Sequence, residues 1–151
     1  MIIRSYSTKD WARLCLIHDA ARRDELAAAG LADAFLPLAS TADNEGLHEY
    51  TILVAELDGE VKGFVAFSDT ELSWLYVEPA ASRRGIGSAL IRAALQAAGG
   101  PLTAEVLDGN KAALAVYRKA GFVEVGRDSG RMPGNEAFVV TVTELHHAGL
   151  G

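Results

Sequence analysis

Between Tyr50 and Ser68 the chain reads YTILVAELDGEVKGFVAFS. Two runs rich in β-forming residues meet at Asp58-Gly59, a pair suited to a two-residue hairpin turn because both positions there need positive φ. An antiparallel hairpin therefore sits in mid-chain. Helical patterns flank it. One runs from Trp11 to Ala29, behind the polar Thr8-Lys9-Asp10 and stopped by Gly30. The other is SALIRAALQAA, with Leu90, Ile91, Ala94 and Leu95 on one stripe. Further strands are expected at Met1 to Ser5, in ELSWLYV (Glu71 to Val77) and in LTAEVL (Leu102 to Leu107). A third helix, NKAALAVYRKA, takes capping side chains from Asp108-Gly109-Asn110 and ends at Gly121. The order is mixed α/β.

Two regions are less regular. Leu31 to Glu49, interrupted by Pro37 and Gly46, suggests a short helix within an irregular segment. At the other end, Phe122 to Gly126 and Ala137 to Leu145 read as a final strand pair around a loop at Arg131 to Gly134. The closing HHAGLG has no pattern, so His146 and His147 read as a frayed tail rather than as metal ligands.

No repeat or linker divides the 151 residues, and a chain of this size buries about 68–70% of its unfolded surface, enough for one core. A single domain spanning residues 1–151 is expected. Cys15 is the only cysteine, so an intrachain disulfide is excluded, and nothing beside it suggests zinc. With an N-terminus, MIIRSYSTKDW, unlike a secretory signal, a cytoplasmic protein is expected. The formal charge of −6 argues against general nucleic-acid binding, and no apolar run approaches the ~18–20 residues of a membrane span. An acidic surface instead favours a cationic molecule or amine.

The chemistry concentrates in LYVEPAASRRGIGSALIRAAL, Leu75 to Leu95. A strand breaks at Pro79, turns through Gly85 and Gly87, and continues as a helix. A helix starting after such a turn exposes unpaired N–H groups and the positive end of its dipole, which makes an anion site. Arg83 and Arg84 can add charge-assisted bonds, and two adjacent phosphates suit the arrangement better than one carboxylate. The alternative is a plain strand-to-helix turn with solvated arginines. The P-loop pattern fails because no Lys-Ser or Lys-Thr follows. The dinucleotide fingerprint is weak because Leu90 stands where Gly or Ala must, and half the chain precedes the motif.

The run V77-E-P79, R83-R84-G85-I86-G87-S88-A89-L90, then E105-V106, N110 and A115-V116-Y117-R118-K119-A120-G121-F122 resembles the GNAT superfamily of N-acetyltransferases. The match covers about Tyr50 to Val125. It departs at Ser82, where the family usually has Gln or Arg. The resemblance implies a single domain with a mixed, mostly antiparallel central sheet flanked by helices, its central strands splayed. Acceptor-side helices would occupy about 8–49, an acetyl-CoA-binding core about 50–126, and a C-terminal strand pair about 122–145.

It also implies roles. Backbone N–H groups of Arg83, Arg84, Gly85, Ile86, Gly87 and Ser88 would cradle the pyrophosphate of acetyl-CoA. The backbone of Leu75, Tyr76 and Val77 would hold the pantetheine arm, the Val77 N–H polarising the thioester. Tyr117 would act as general acid toward the departing thiolate, and Asn110 would contact CoA, cap its helix, or both. The general base would be Glu105 or, through water, Glu71, though either could be an ordinary strand carboxylate. Trp74 and Tyr76 could wall the acceptor site or pack in the core. His18 and Cys15 read as structural. The implied activity is acetyl transfer from acetyl-CoA to a primary amine, without a metal, by a monomer or homodimer. A non-catalytic acyl-CoA-binding or sensor module is the alternative reading, and a nicotinamide-dinucleotide enzyme a third. Acceptor choice would depend on Trp11 to Glu49 and on a loop at Arg127 to Glu136.

Overall fold

The computed structural model describes residues 1–150. Its elements run β1 (Ile2–Ser5), α1 (Trp11–Ala28), α2 (Leu38–Thr41), β2 (Thr51–Leu57), β3 (Glu60–Phe67), β4 (Glu71–Val77), α3 (Ile86–Ala98), β5 (Leu102–Leu107), α4 (Lys111–Lys119), β6 (Val123–Met132) and β7 (Asn135–His147), joined in places by short 3-10 turns. The β2–β3 turn forms as the sequence requires, Asp58 and Gly59 both lying at positive φ, 56° and 79°. All seven strands join one open sheet in the order β1-β2-β3-β4-β5-β7-β6. Only the β4–β5 pairing is parallel.

Helix α3 covers one face through the expected stripe, with Ile86, Leu90, Ile91, Ala94 and Leu95 buried. Each of the larger side chains contributes roughly 1.5–3 kcal/mol. The helix rides close over β3 because Gly63 has no side chain: a Cβ there would lie 3.0 Å from Ile86 Cγ2 and 3.1 Å from the Tyr76 carbonyl oxygen. Helix α1 covers the opposite face through Leu14, Ile17, His18 and Leu26. Its start is tied to β1 by Asp10, whose carboxylate accepts from the Arg4 guanidinium at 2.8 and 2.9 Å and from the Ser7 N–H at 2.8 Å.

A bulge in β4 decides which side chains meet which helix. Ala66 stands opposite Trp74 and Phe67 opposite Leu72, leaving Ser73 as an extra residue. The inserted residue reverses the alternation. Leu72, Leu75 and Val77 therefore pack on the α3 side, and Trp74 and Tyr76 on the α1 side. Trp74 is a core residue, 8% exposed.

The C-terminal region differs from expectation. The strands continue through Arg127 to Glu136, which the sequence suggested was loop, and the turn shrinks to Pro133-Gly134 between the paired Met132 and Asn135. Almost every residue of β6 is exposed, so ladder hydrogen bonds to β7 hold it, and the apolar alternation that would reveal it in the sequence is missing. His147 is also not a frayed end. It is 9% exposed, its ring packs 5.1 Å from Phe122, Nε2 donates to the Ala120 carbonyl at 3.1 Å, and Nδ1 accepts from the Gly149 N–H at 2.9 Å. Among the described residues no helix is long and apolar enough to cross a membrane.

Candidate active site

The turn before α3 has an exposed backbone with left-handed residues. Arg83 and Gly85 are both left-handed, at φ 64° and 77°, a geometry that turns successive N–H groups toward one place. The first helical bond in this region is from the Ala89 N–H to the Gly85 carbonyl, and the amides of Arg83 to Ser88 donate to no backbone carbonyl of the described residues. Arg83, Arg84 and Gly85 are exposed. Gly87 faces inward: a Cβ there would lie 3.4 Å from Val116 of α4 and 3.9 Å from Val77 of β4. The donors thus stand at the mouth of a gap between β4 and α4.

That gap comes from the sheet itself. β4 and β5 pair only at Glu71 with Thr103 and Leu72 with Ala104, so from Ser73 onward the two strands separate. The Glu78 N–H bonds to the Lys62 carbonyl on the β3 side. In an antiparallel ladder alternate residues turn their backbone groups the other way. The amides and carbonyls of Leu75 and Val77 therefore face the opening toward β5, whereas those of Tyr76 turn to its partner Phe64. An extended chain with amide groups could add there as a strand.

Tyr117 comes from α4 on the far side of the gap. It is 5% exposed and stacks edge-on against Phe122 at 5.1 Å. Burial, with the nearby Tyr76 hydroxyl and Glu25 carboxylate, pushes its pKa far above the ordinary tyrosine value. Tyr76 is raised likewise by burial and by Glu25, with Arg22 beside its hydroxyl. Asn110 holds this group together. Its Oδ1 accepts from the Ala113 N–H at 3.2 Å, capping α4, and its Nδ2 donates to Glu25 at 2.8 Å. The other Glu25 oxygen accepts from Arg22 at 2.5 Å. Arg22 and Glu25 escaped the sequence reading, because an i, i+3 ion pair on a helix looks like any solvated face.

Glu71 and Glu105 are neighbours on the α1 side of the sheet. Partial burial raises the Glu105 pKa, and the charges of Glu144, Asp128 and Glu71 raise it further; Glu144 is its direct cross-strand partner. Glu71 accepts a hydrogen bond from the Tyr50 hydroxyl, and the Tyr50 ring packs 5.1 Å from Trp74. The groups whose charges act on Tyr117 are Tyr76 and Glu25, not this acidic pair.

Known proteins share this architecture. The description of the Acetyltransferase (GNAT) family matches residues 10–122. N-alpha-acetyltransferase RimI of Mycobacterium tuberculosis is 42% identical over 73 residues, 46% of this chain and 46% of that protein, so the match spans about half the length of that curated relative. A GCN5-related N-acetyltransferase structure from Rhodopseudomonas palustris superposes with a TM-score of 0.80 at 26% identity, covering 97% of this chain and 94% of that one. A GNAT superfamily phosphinothricin acetyltransferase from Sinorhizobium meliloti, solved in complex with AcCoA, has the same fold at 18% identity and TM-score 0.66, over 98% of this chain and 88% of that one. From its splayed strands, its glycine turn and the extent of that match, the chain belongs to the acetyltransferase (GNAT) family.

Proposed function

We propose that the protein transfers an acetyl group from acetyl-CoA directly to a primary amine. The observation that carries this reading is the continuity of donors. Unpartnered amides from Arg83 to Ser88 lead into a gap edged by the free backbone of Leu75 and Val77, which fits a pyrophosphate followed by an amide-bearing arm. Arg83 and Arg84 would add charge to the phosphate end, and Gly87 leaves room for close approach. The Val77 N–H would donate to the thioester carbonyl as negative charge develops on its oxygen.

Tyr117 would serve the sulfur. Its pKa lies above that of a thiol, so its hydroxyl keeps its proton and donates a hydrogen bond to sulfur as the C–S bond breaks. The proton that nitrogen sheds on acylation completes the thiol. Asn110, engaged by both ends of its amide, would support α4 and hence Tyr117. Glu71 and Glu105, with Glu144 and Asp128, would favour a cationic acceptor approaching from the α1 side.

Calorimetric titration with CoA, followed by thiol release assayed with acetyl-CoA and a panel of primary amines, tests the reading. CoA binding and amine-dependent thiol release are expected. CoA binding with no turnover would make the protein an acyl-CoA-binding module, and tighter binding of NADH than of CoA would overturn the assignment altogether.

A further inference from the structure

Between α1, the segment around α2 and the β6–β7 turn lies a small cavity of about 60 Å³, lined among others by His18, Arg22, Leu36, Thr41, Glu45 and Met132. That is room for about two waters, or for the aminomethyl end of a larger molecule. His18 is 5% exposed. Its Nδ1 lies 2.9 Å from Asp19 Oδ1, and the same carboxylate oxygen accepts from the Leu38 N–H at 2.9 Å. A carboxylate only accepts, so Nδ1 carries the hydrogen and Nε2 has the lone pair. Among the described residues Nε2 has no hydrogen-bond partner, yet no sealed polar side-chain atom is left unpartnered. Nε2 therefore reaches accessible space, and His18 is one of the residues lining the cavity.

We infer that this cavity seats the acceptor amine and that His18, oriented by Asp19, is the base that takes a proton from it. The inference rests on the acetyl-transfer reading above. The His18 ring packs edge-on against Tyr76 at 4.8 Å, and Tyr76 in turn neighbours Tyr117, so His18 touches both the cavity it lines and the β4 residue beside Tyr117. Glu105 and Glu71 lie in a separate acidic group. Charges facing His18 come from Asp19, Arg22 and Glu25 on its own helix, with Tyr76 from β4 and, through Arg22, Glu45 from the segment after α2. The carboxylates outnumber Arg22, which favours an ammonium, and Leu36 and Met132 offer an apolar wall. The acceptor class is thus a cationic primary amine with an apolar portion beside the nitrogen.

The proton count closes. The His18 Nε2 lone pair takes one proton from R–NH3+, and the freed R–NH2 lone pair forms the C–N bond while the C–S bond breaks with its electrons on sulfur. The nitrogen's second proton completes the thiol, and His18 returns the first to solvent through the cavity mouth. Burial pushes the His18 pKa below the ordinary histidine value, so the ring is neutral, and able to accept, at pH 7.

The test is the pH profile of kcat/KM for wild type, His18→Gln and Glu105→Gln, with CoA affinity and melting temperature as controls for folding. A positioned general base contributes about 10²- to 10⁴-fold, so His18→Gln should lose that much at pH 7, where an amine of pKa near 10 is almost wholly protonated. The loss should shrink toward pH 9.5, where free amine needs no base. Glu105→Gln should raise KM for cationic amines and keep the acidic limb of the profile. In ¹⁵N spectra of wild type, an amine should shift the Nε2 resonance of His18. A pH-independent loss in His18→Gln, or an acidic limb that vanishes in Glu105→Gln instead, overturns the inference while leaving acetyl transfer intact. If His18→Gln fails to fold, an Nε2 resonance unmoved by a turned-over amine overturns it equally. Wild-type protein inactive with every amine would remove both.

Discussion

Gly87 is where stability and ligand binding are expected to move in opposite directions. It sits in the first turn of α3 without a positive φ, and a Cβ there would make an ordinary contact, 3.4 Å from Val116 Cγ1. A glycine in a helix costs roughly 0.5–1 kcal/mol relative to alanine. At about 2–4 °C per kcal/mol for a chain of this size, Gly87→Ala should melt about 1–4 °C higher than wild type. The same methyl group narrows the mouth between β4 and α4 and holds an anion off the amides beside it. One lost hydrogen bond to a charged group is worth about 1.5–3 kcal/mol, so the Kd for CoA should rise roughly 10- to 100-fold, and more for Gly87→Leu. Thermal melts and calorimetric titration on the same samples give both numbers. Variants that melt at or above the wild-type temperature and bind CoA unchanged would refute the placement of the ligand. Gly85 is a poorer probe, because its φ of 77° makes any side chain strained.

Other expectations follow from the same geometry. Tyr117→Phe keeps the ring against Phe122 and removes only the hydroxyl; kcat should drop about 10- to 100-fold with CoA affinity intact, and an unchanged kcat under chemistry-limited conditions would reduce Tyr117 to a core residue. Arg83→Ala combined with Arg84→Ala should weaken CoA binding at low salt and much less at about 1 M salt, where the screening length is near 3 Å; a salt-independent loss would point to the backbone instead. Asp10 is 5% exposed, and the Arg4 guanidinium beside it holds its carboxyl below the usual carboxylate range. A depressed folded pKa means that its stabilisation is full above the unfolded value of about 3.9 and disappears as pH falls through the lower folded value. Urea denaturation should therefore show Asp10→Asn less stable by roughly 2 kcal/mol at pH 7, with the gap closing below about pH 4; a constant gap at pH 2.5 would contradict the assignment.

The sequence by itself determined whatever neighbouring residues encode. Asp58-Gly59 fixed the hairpin turn, the stripe from Ile86 to Leu95 fixed the buried face of α3, and Arg83 to Gly87 fixed the helix start with its spare amides. The spacing from Val77 to Phe122 was enough to suggest the family. Its reach stopped where a role depends on a distant partner. Ser73 bulges only because β3 and β4 pair out of step, and that bulge sends Trp74 and Tyr76 toward α1. The gap exists because β4 and β5 pair over two residues and then part. Asn110 meets Glu25 across 85 positions. The exposed β6 carries no apolar alternation to read, and His147 looked like a tail until Ala120 and Phe122 stood beside it. His18 shows the limit most clearly: one histidine in a helical run reads as packing, and only the tertiary structure brings it to a cavity formed by segments from three parts of the chain. Local backbone preferences are written in consecutive residues, whereas burial, electrostatic neighbours and cavities arise only when remote segments pack together.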